Sequence, residues 1–134
     1  MKLSEQQILQ KTRLDNLHDV RNLNLWGQDI DNVSVLKEMP AVEVLSLSVN
    51  KISTLREFMH CRKLQELYLR KNEVQNLGDI QYLVSLPELS VLWLSDNPCA
   101  DTPNYRAQVI RALPALTKLD NEEVKPEERA QVEE

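Results

Sequence analysis

Val42-Glu43-Val44-Leu45-Ser46-Leu47-Ser48-Val49-Asn50-Lys51-Ile52 and Leu64-Gln65-Glu66-Leu67-Tyr68-Leu69-Arg70-Lys71-Asn72-Glu73-Val74 carry one pattern twice, with their first residues 22 positions apart. Three apolar positions at the strand and its approach are followed by an asparagine and one more apolar residue. A unit this short cannot bury its own apolar face, so copies must stack, each supplying the next with core. Alternation through the middle of the unit places the leucines inward and the residues between them outward. The asparagine is expected to turn inward where the strand ends and to bond backbone groups of neighbouring turns. A buried amide is tolerated only when its hydrogen bonds are met. An ordinary pair of amphipathic strands does not explain two asparagines at matching places.

The pattern is that of a leucine-rich repeat, and it extends in both directions. Upstream stands Val20-x-x-Leu23-x-Leu25-x-x-Gln28-x-Ile30, with Gln28 in place of asparagine. That exchange suits an end repeat with no outer neighbour. Downstream stands Leu89-x-x-Leu92-x-Leu94-x-x-Asn97, running into Pro98. Between strands, Val33, Leu36, Met39 and Pro40, then Leu55, Phe58, Met59 and Cys61, supply apolar return segments. The third return, through Leu77, Ile80, Leu83, Leu86 and Pro87, stretches the period to 25 residues and predicts an α-helix. The fold class is therefore α/β: a solenoid with a concave parallel sheet and convex helical or 3-10 segments.

A solenoid exposes core at both ends and needs caps. Ser4 to about Leu17 reads as a helix, with Ser4 as N-cap and Gln7 at the capping-box position. Leu3, Ile8, Leu9, Leu14 and Leu17 are its expected contacts. At the other end Tyr105, Val109 and Leu113 share one helical face, and Leu116-x-x-Leu119 supplies a closing strand. The expected division is an N-terminal cap over 1–19, repeats over 20–97, a C-terminal cap over 98–124 and an acidic tail over 125–134. Six acids against two bases from Asn121 onward carry −4 of the chain's −5, so the repeats themselves are nearly neutral. The tail is expected to be solvated, with a short helix starting at Pro126.

Composition excludes several function classes. With 134 residues there is room for one domain, and with 4% aromatic residues its core must be aliphatic. Two glycines leave no Gly-rich phosphate loop. Cys61 and Cys99 have neither zinc-ligand spacing nor a supported histidine partner, so no metal, cofactor or nucleophile is expected. No run approaches the length of a membrane helix, and Met1–Gln6 lacks a signal-peptide core, which predicts a soluble cytoplasmic protein.

Periodicity stacks the outward residues into columns: Asn22, Val44, Glu66 and Val91; then Asn24, Ser46, Tyr68 and Trp93; then Trp26, Ser48, Arg70 and Ser95, flanked by Gly27, Val49, Lys71 and Asp96. Trp26, Val44, Ser46, Val49, Tyr68, Arg70, Lys71, Val91 and Trp93 are accordingly the candidate partner-binding residues. Tyr68 and Trp93 would be apolar anchors, with Arg70 and Lys71 pairing with a partner's acids. The plainer alternative is that the rings pack on each other. Asn50, Asn72, Asn97, Cys61, Leu67, Tyr105 and Val109 are expected to be structural. A single-stranded RNA site, with Arg70, Lys71 and the aromatics stacking and pairing with a strand, is a weaker reading, because Glu66 and Asp96 sit in the same surface and no column is continuously basic.

The period, together with Asn97-Pro98, Tyr105-Arg106 and Leu113-Pro114-x-Leu116-x-x-Leu119-Asp120, resembles the phosphatase-regulator class of repeat proteins. That class includes spliceosomal, dynein-associated and ciliary members. The blocks Trp26-Gly27, Glu38-Met39-Pro40, Leu67-Tyr68-Leu69-Arg70-Lys71-Asn72 and Val91-Leu92-Trp93-Leu94 resemble a cilia- and flagella-associated family within it. The resemblance implies a ciliary-base or basal-body protein needed to build cilia, with a nuclear location left open by a link to DNA-damage responses. It also implies a NIMA-related kinase contact on segments outside this chain. The alternatives it leaves are a spliceosomal-type ribonucleoprotein and a phosphatase-regulator-like adaptor. A protein partner is expected, without nucleic acid or membrane.

Overall fold

The computed structural model describes residues 1–132; Glu133 and Glu134, which belong to the expected acidic tail, lie outside the described residues. Five parallel strands follow one another in chain order: β1 (Asn22–Asn24), β2 (Val44–Ser46), β3 (Glu66–Tyr68), β4 (Val91–Trp93) and β5 (Lys118–Leu119). A sixth, β6 (Glu122–Glu123), runs antiparallel to β5 and forms the far edge. Leu23, Leu45, Leu67, Leu92 and Leu119 lie in one register row, and all are buried. The sheet forms one wall of the solenoid, and 3-10 segments at Ser34–Glu38, Arg56–His60 and Leu77–Leu83 form the opposite one. Ile30, Leu36, Phe58 and Leu83 fill the aliphatic core between them.

The third return is a 3-10 helix, not the α-helix expected from its extra length. Its apolar residues recur every third position (Leu77, Ile80, Leu83, Leu86), which aligns them on a helix of three residues per turn. A 3-10 segment also rises about 2.0 Å per residue against about 1.5 Å, so it crosses the convex side with fewer residues. Asn76 caps it by accepting the Gly78 N–H at 2.8 Å. Asp79 ties it to the preceding repeat, accepting from Thr54 Oγ1 at 3.0 Å and the Leu55 N–H at 3.1 Å.

At the N-terminal end the capping box forms as expected: Gln7 N–H donates to Ser4 Oγ, and Ser4 N–H donates to Gln7 Oε1 at 2.9 Å. The helix α1 (Glu5–Thr12) stops five residues short of Leu17, because Arg13 enters the left-handed region (φ 61°) and its N–H bonds Leu9 O. A separate 3-10 turn, capped by Asn16, carries Leu17 into the core, while Leu14 is left exposed. The segment before α1 is tied to the first repeat through Leu3 N–H to Asn32 O at 2.9 Å.

At the other end α2 (Tyr105–Ala112) buries Val109 and Ile110. The helix expected to start at Pro126 forms as α3 (Pro126–Val132), but it docks against α2 rather than standing free in solvent. Its Arg129 guanidinium donates to Ile110 O, to Leu113 O at 3.2 Å and to Leu116 O at 2.8 Å. The carbonyls at and just beyond the end of a helix otherwise lack donors, and here an arginine supplied from 13 to 19 residues away satisfies them.

Candidate functional site

The sheet register places the outward residues in the columns that periodicity predicts. Asn22, Val44, Glu66, Val91 and Lys118 are direct neighbours across strands, as are Asn24, Ser46, Tyr68 and Trp93. Val44, Ser46, Glu66, Tyr68, Val91 and Trp93 are each half-buried. Tyr68 and Trp93 stand side by side, with ring centroids 6.5 Å apart and planes tilted by 57°. Their polar atoms bond two residues away in their own repeats: the Tyr68 hydroxyl donates to Glu66 Oε1, and Trp93 Nε1 donates to Ser95 Oγ at 2.6 Å. The hydrogen bond to the Glu66 carboxylate, with a contribution from burial, pushes the Tyr68 phenol up to about 12. Beside this pair lies a hollow of about 450 Å³, lined by Asn22, Leu23, Asn24, Val44, Ser46 and Tyr68.

Trp26 does not join that cluster. It is 61% exposed at the N-terminal end and lines a different hollow with Gln7, Gln10 and Lys11 of α1. Val49 and Lys71 stand on the turns that leave the strands. They share with Gly27 and Asp96 a left-handed backbone (φ 59°, 60°, 67° and 60°), and after Val49, Lys71 and Asp96 the next residue is a buried asparagine. Arg70, expected to meet a partner's acid, is already paired with Asp96 (Nε–Oδ2 3.2 Å).

The structural residues occupy the inside of the same turns. Asn50 Oδ1 accepts from the N–H groups of Gln28 (2.9 Å) and Ile30 (3.0 Å), while its Nδ2 donates to Leu25 O and Leu47 O. Asn72 accepts from Ile52 N–H and donates to Leu47 O and Leu69 O; Asn97 accepts from Val74 N–H and donates to Leu69 O and Leu94 O. Each asparagine thus bridges to the repeat before it, and no buried side-chain nitrogen or oxygen among the described residues lacks a partner. Gln28, the end-repeat exchange, is exposed. Cys61, Leu67 and Val109 have no exposed surface. Burial pushes the Cys61 thiol up to about 12 and, as the main cause, Cys99 to about 11. Among the described residues no group of three His, Cys, Asp or Glu is placed to hold a metal ion.

Asp120 is the residue that sequence reasoning left without a role. Its Oδ1 accepts from the N–H groups of Leu94 (2.6 Å) and Ser95 (2.9 Å), and its Oδ2 accepts from the Tyr105 hydroxyl at 2.7 Å. A side chain therefore satisfies the Leu94 N–H, whose counterparts Leu25, Leu47 and Leu69 donate to a carbonyl of the next strand. Asp120 and Asn121 both have positive φ (51° and 66°), the turn geometry that a two-residue hairpin requires. The Asp-Asn pair was the available sign of β6. Arg106 braces the same corner by donating to Leu119 O and Glu123 O and gripping both oxygens of Glu128.

The comparisons agree with this architecture. The chain is 48% identical to cilia- and flagella-associated protein 410 of Mus musculus over 130 residues, which is 96% of this chain and 52% of that protein. Its identity to the Homo sapiens protein of the same name is also 48%, over 96% of this chain and 51% of that protein. The chain thus spans about half the length of these curated relatives. The ciliary resemblance carried by the Trp26-Gly27 and Val91-Leu92-Trp93-Leu94 blocks is a likeness over nearly the whole chain. A chain in the crystal structure of the Drosophila melanogaster SNF/U2A' complex superposes with a TM-score of 0.76, covering 99% of this chain and 91% of that one at 24% identity. That likeness is one of fold. The pattern described as Leucine-rich repeat matches residues 4–134, and with its leucine row, its asparagine bridges and its two caps, this chain belongs to the leucine-rich-repeat family.

Proposed function

We propose that this chain is a non-enzymatic protein–protein interaction module of a ciliary-base or basal-body protein needed for cilium assembly, acting in the cytoplasm and binding its partner on the concave sheet face. The observation that carries the reading is the half-buried Tyr68–Trp93 pair beside the Val44 hollow, flanked by Val91. Aromatic and apolar groups on an accessible face are costly to leave against water unless something covers them. Their hydroxyl and indole N–H are satisfied internally, so a partner covers rings and methyls without stranding a donor. Val44, Ser46, Val91 and the turn residues Val49, Arg70 and Lys71 form the remainder of the surface. Trp26 is a peripheral contact, because it lies at the N-terminal end of the sheet, in a hollow lined by α1 rather than by Tyr68 or Trp93. The ciliary setting rests on the 48% identity to the two relatives.

The test is affinity capture from ciliated cells with wild type and a Tyr68→Ala/Trp93→Ala double variant. Each truncation is expected to cost about 2 kcal/mol of binding or more. Unchanged recovery by a variant that retains its circular dichroism spectrum removes the concave face as the docking surface. A ribonucleoprotein reading is disfavoured by the same geometry: Arg70 is tied to Asp96, and Glu66 sits in the middle of the face.

A further inference from the structure

The concave face carries a carboxylate where its surroundings give it little to interact with. Glu66 stands between Val44 and Val91, its direct neighbours on β2 and β4. One carboxylate oxygen accepts the Tyr68 hydroxyl; the other has no hydrogen-bond partner among the described residues. Among the described residues no cation lies within ion-pair distance of Glu66. Lys118 is in the same column two strands away, about 10 Å at ordinary strand spacing. Arg70 is engaged with Asp96 at the turn. The half-buried centre of the face is therefore anionic, aromatic and apolar at once. A carboxylate beside a tyrosine ring suits a lysine or arginine: the charge meets the free oxygen while its stem or guanidinium plane lies across the ring.

We propose that the concave face recognises a protein segment carrying a lysine or arginine next to an apolar side chain, the cation seating on Glu66 and Tyr68 and the apolar group filling the hollow between Val44 and Tyr68. This rests on the concave-docking reading above and supplies its charge sense. It reverses the sense in which Arg70 and Lys71 alone would select an acidic partner. The cation adds a charge-assisted bond to an oxygen that lacks one, and it neutralises a group that docking would otherwise bury unpaired.

A random peptide display library selected on the immobilised 134-residue chain tests this, with binders measured by fluorescence polarisation. Glu66→Gln keeps an oxygen for the Tyr68 hydroxyl and removes only the charge. Peptides that are lost with Tyr68→Ala/Trp93→Ala are expected to share a lysine or arginine. Replacing that residue by glutamine, or Glu66 by glutamine, is expected to weaken them by roughly tenfold or more. Glu66→Arg is expected to abolish binding, and a peptide with glutamate at the basic position to restore it. Peptides sensitive to the double variant but indifferent to Glu66→Gln overturn the cation proposal and leave docking intact. A selection with no peptide sensitive to the double variant overturns the docking reading and this inference together.

Discussion

At the scale of single residues, the turn after each strand shows how much local geometry the repeat demands. Each of the turns after the first four strands places a residue three positions past the strand in the left-handed region, and Gly27 and Asp96 accept this readily, whereas Val49 is β-branched at φ 59°. Such a conformation costs about 1–3 kcal/mol. Val49→Asn is therefore expected to raise the thermal midpoint, and a lowered midpoint would mean that the packing of its methyls outweighs the strain. Asn72 illustrates the opposite case, since its amide answers one backbone N–H and two carbonyls across two repeats. Asn72→Ala leaves the Ile52 N–H buried without a partner, while Leu47 O and Leu69 O keep the Asn50 and Asn97 amides, and should destabilise by about 1–3 kcal/mol, read from urea denaturation. Cys61 sits where the return segment meets the core with no exposed surface. Cys61→Phe is expected to overpack it by about 1–3 kcal/mol. With the thiol pushed up to about 12 by burial, Cys61 should stay unreactive to alkylating reagents near neutral pH until the chain unfolds.

At the scale of elements, the C-terminal cap is a polar lock rather than an extension of the core. Tyr105 reaches Asp120, Arg106 reaches Glu128, and Arg129 closes the end of α2. The Glu128 carboxyl is held below the usual carboxylate range chiefly by its hydrogen bond to the Arg106 guanidinium. A lowered folded pKa means that the contribution is present above the ordinary glutamate value and fades as pH falls through the lower folded value. Docking of α3 is therefore expected to loosen on acidification below the ordinary range. Amide exchange at 126–132 should rise there in wild type, and a Glu128→Gln variant should show that exchange already at neutral pH. Flat exchange in both would show that Arg129 alone holds the helix. The Tyr105 phenol is raised by burial and by Asp120, so its contribution persists through neutral pH and declines only in strong alkali.

At the scale of the whole molecule, stability passes from repeat to repeat, because each mostly contacts its neighbours. Leu67 lies in the central strand of the leucine row, so Leu67→Ala is expected to cost about 2–5 kcal/mol and to broaden the thermal transition. A sharp, unshifted transition would show that the end caps, not the middle repeats, set the cooperativity. The leucine row, the asparagine bridges, the outward columns and the capping box were all legible in the chain itself. Each is fixed by alternation and spacing among residues within a few positions of one another, copied every 22 or so residues. Other features came only from the folded molecule: the 3-10 third return, the docking of α3, the separation of Trp26 from the aromatic pair, and the choice of Asp96 as the partner of Arg70. Arg70 and Asp96 are 26 residues apart, and Arg129 reaches carbonyls up to 19 residues away. Long side chains have several partners within reach, and which one they take is decided by where stacking brings distant turns.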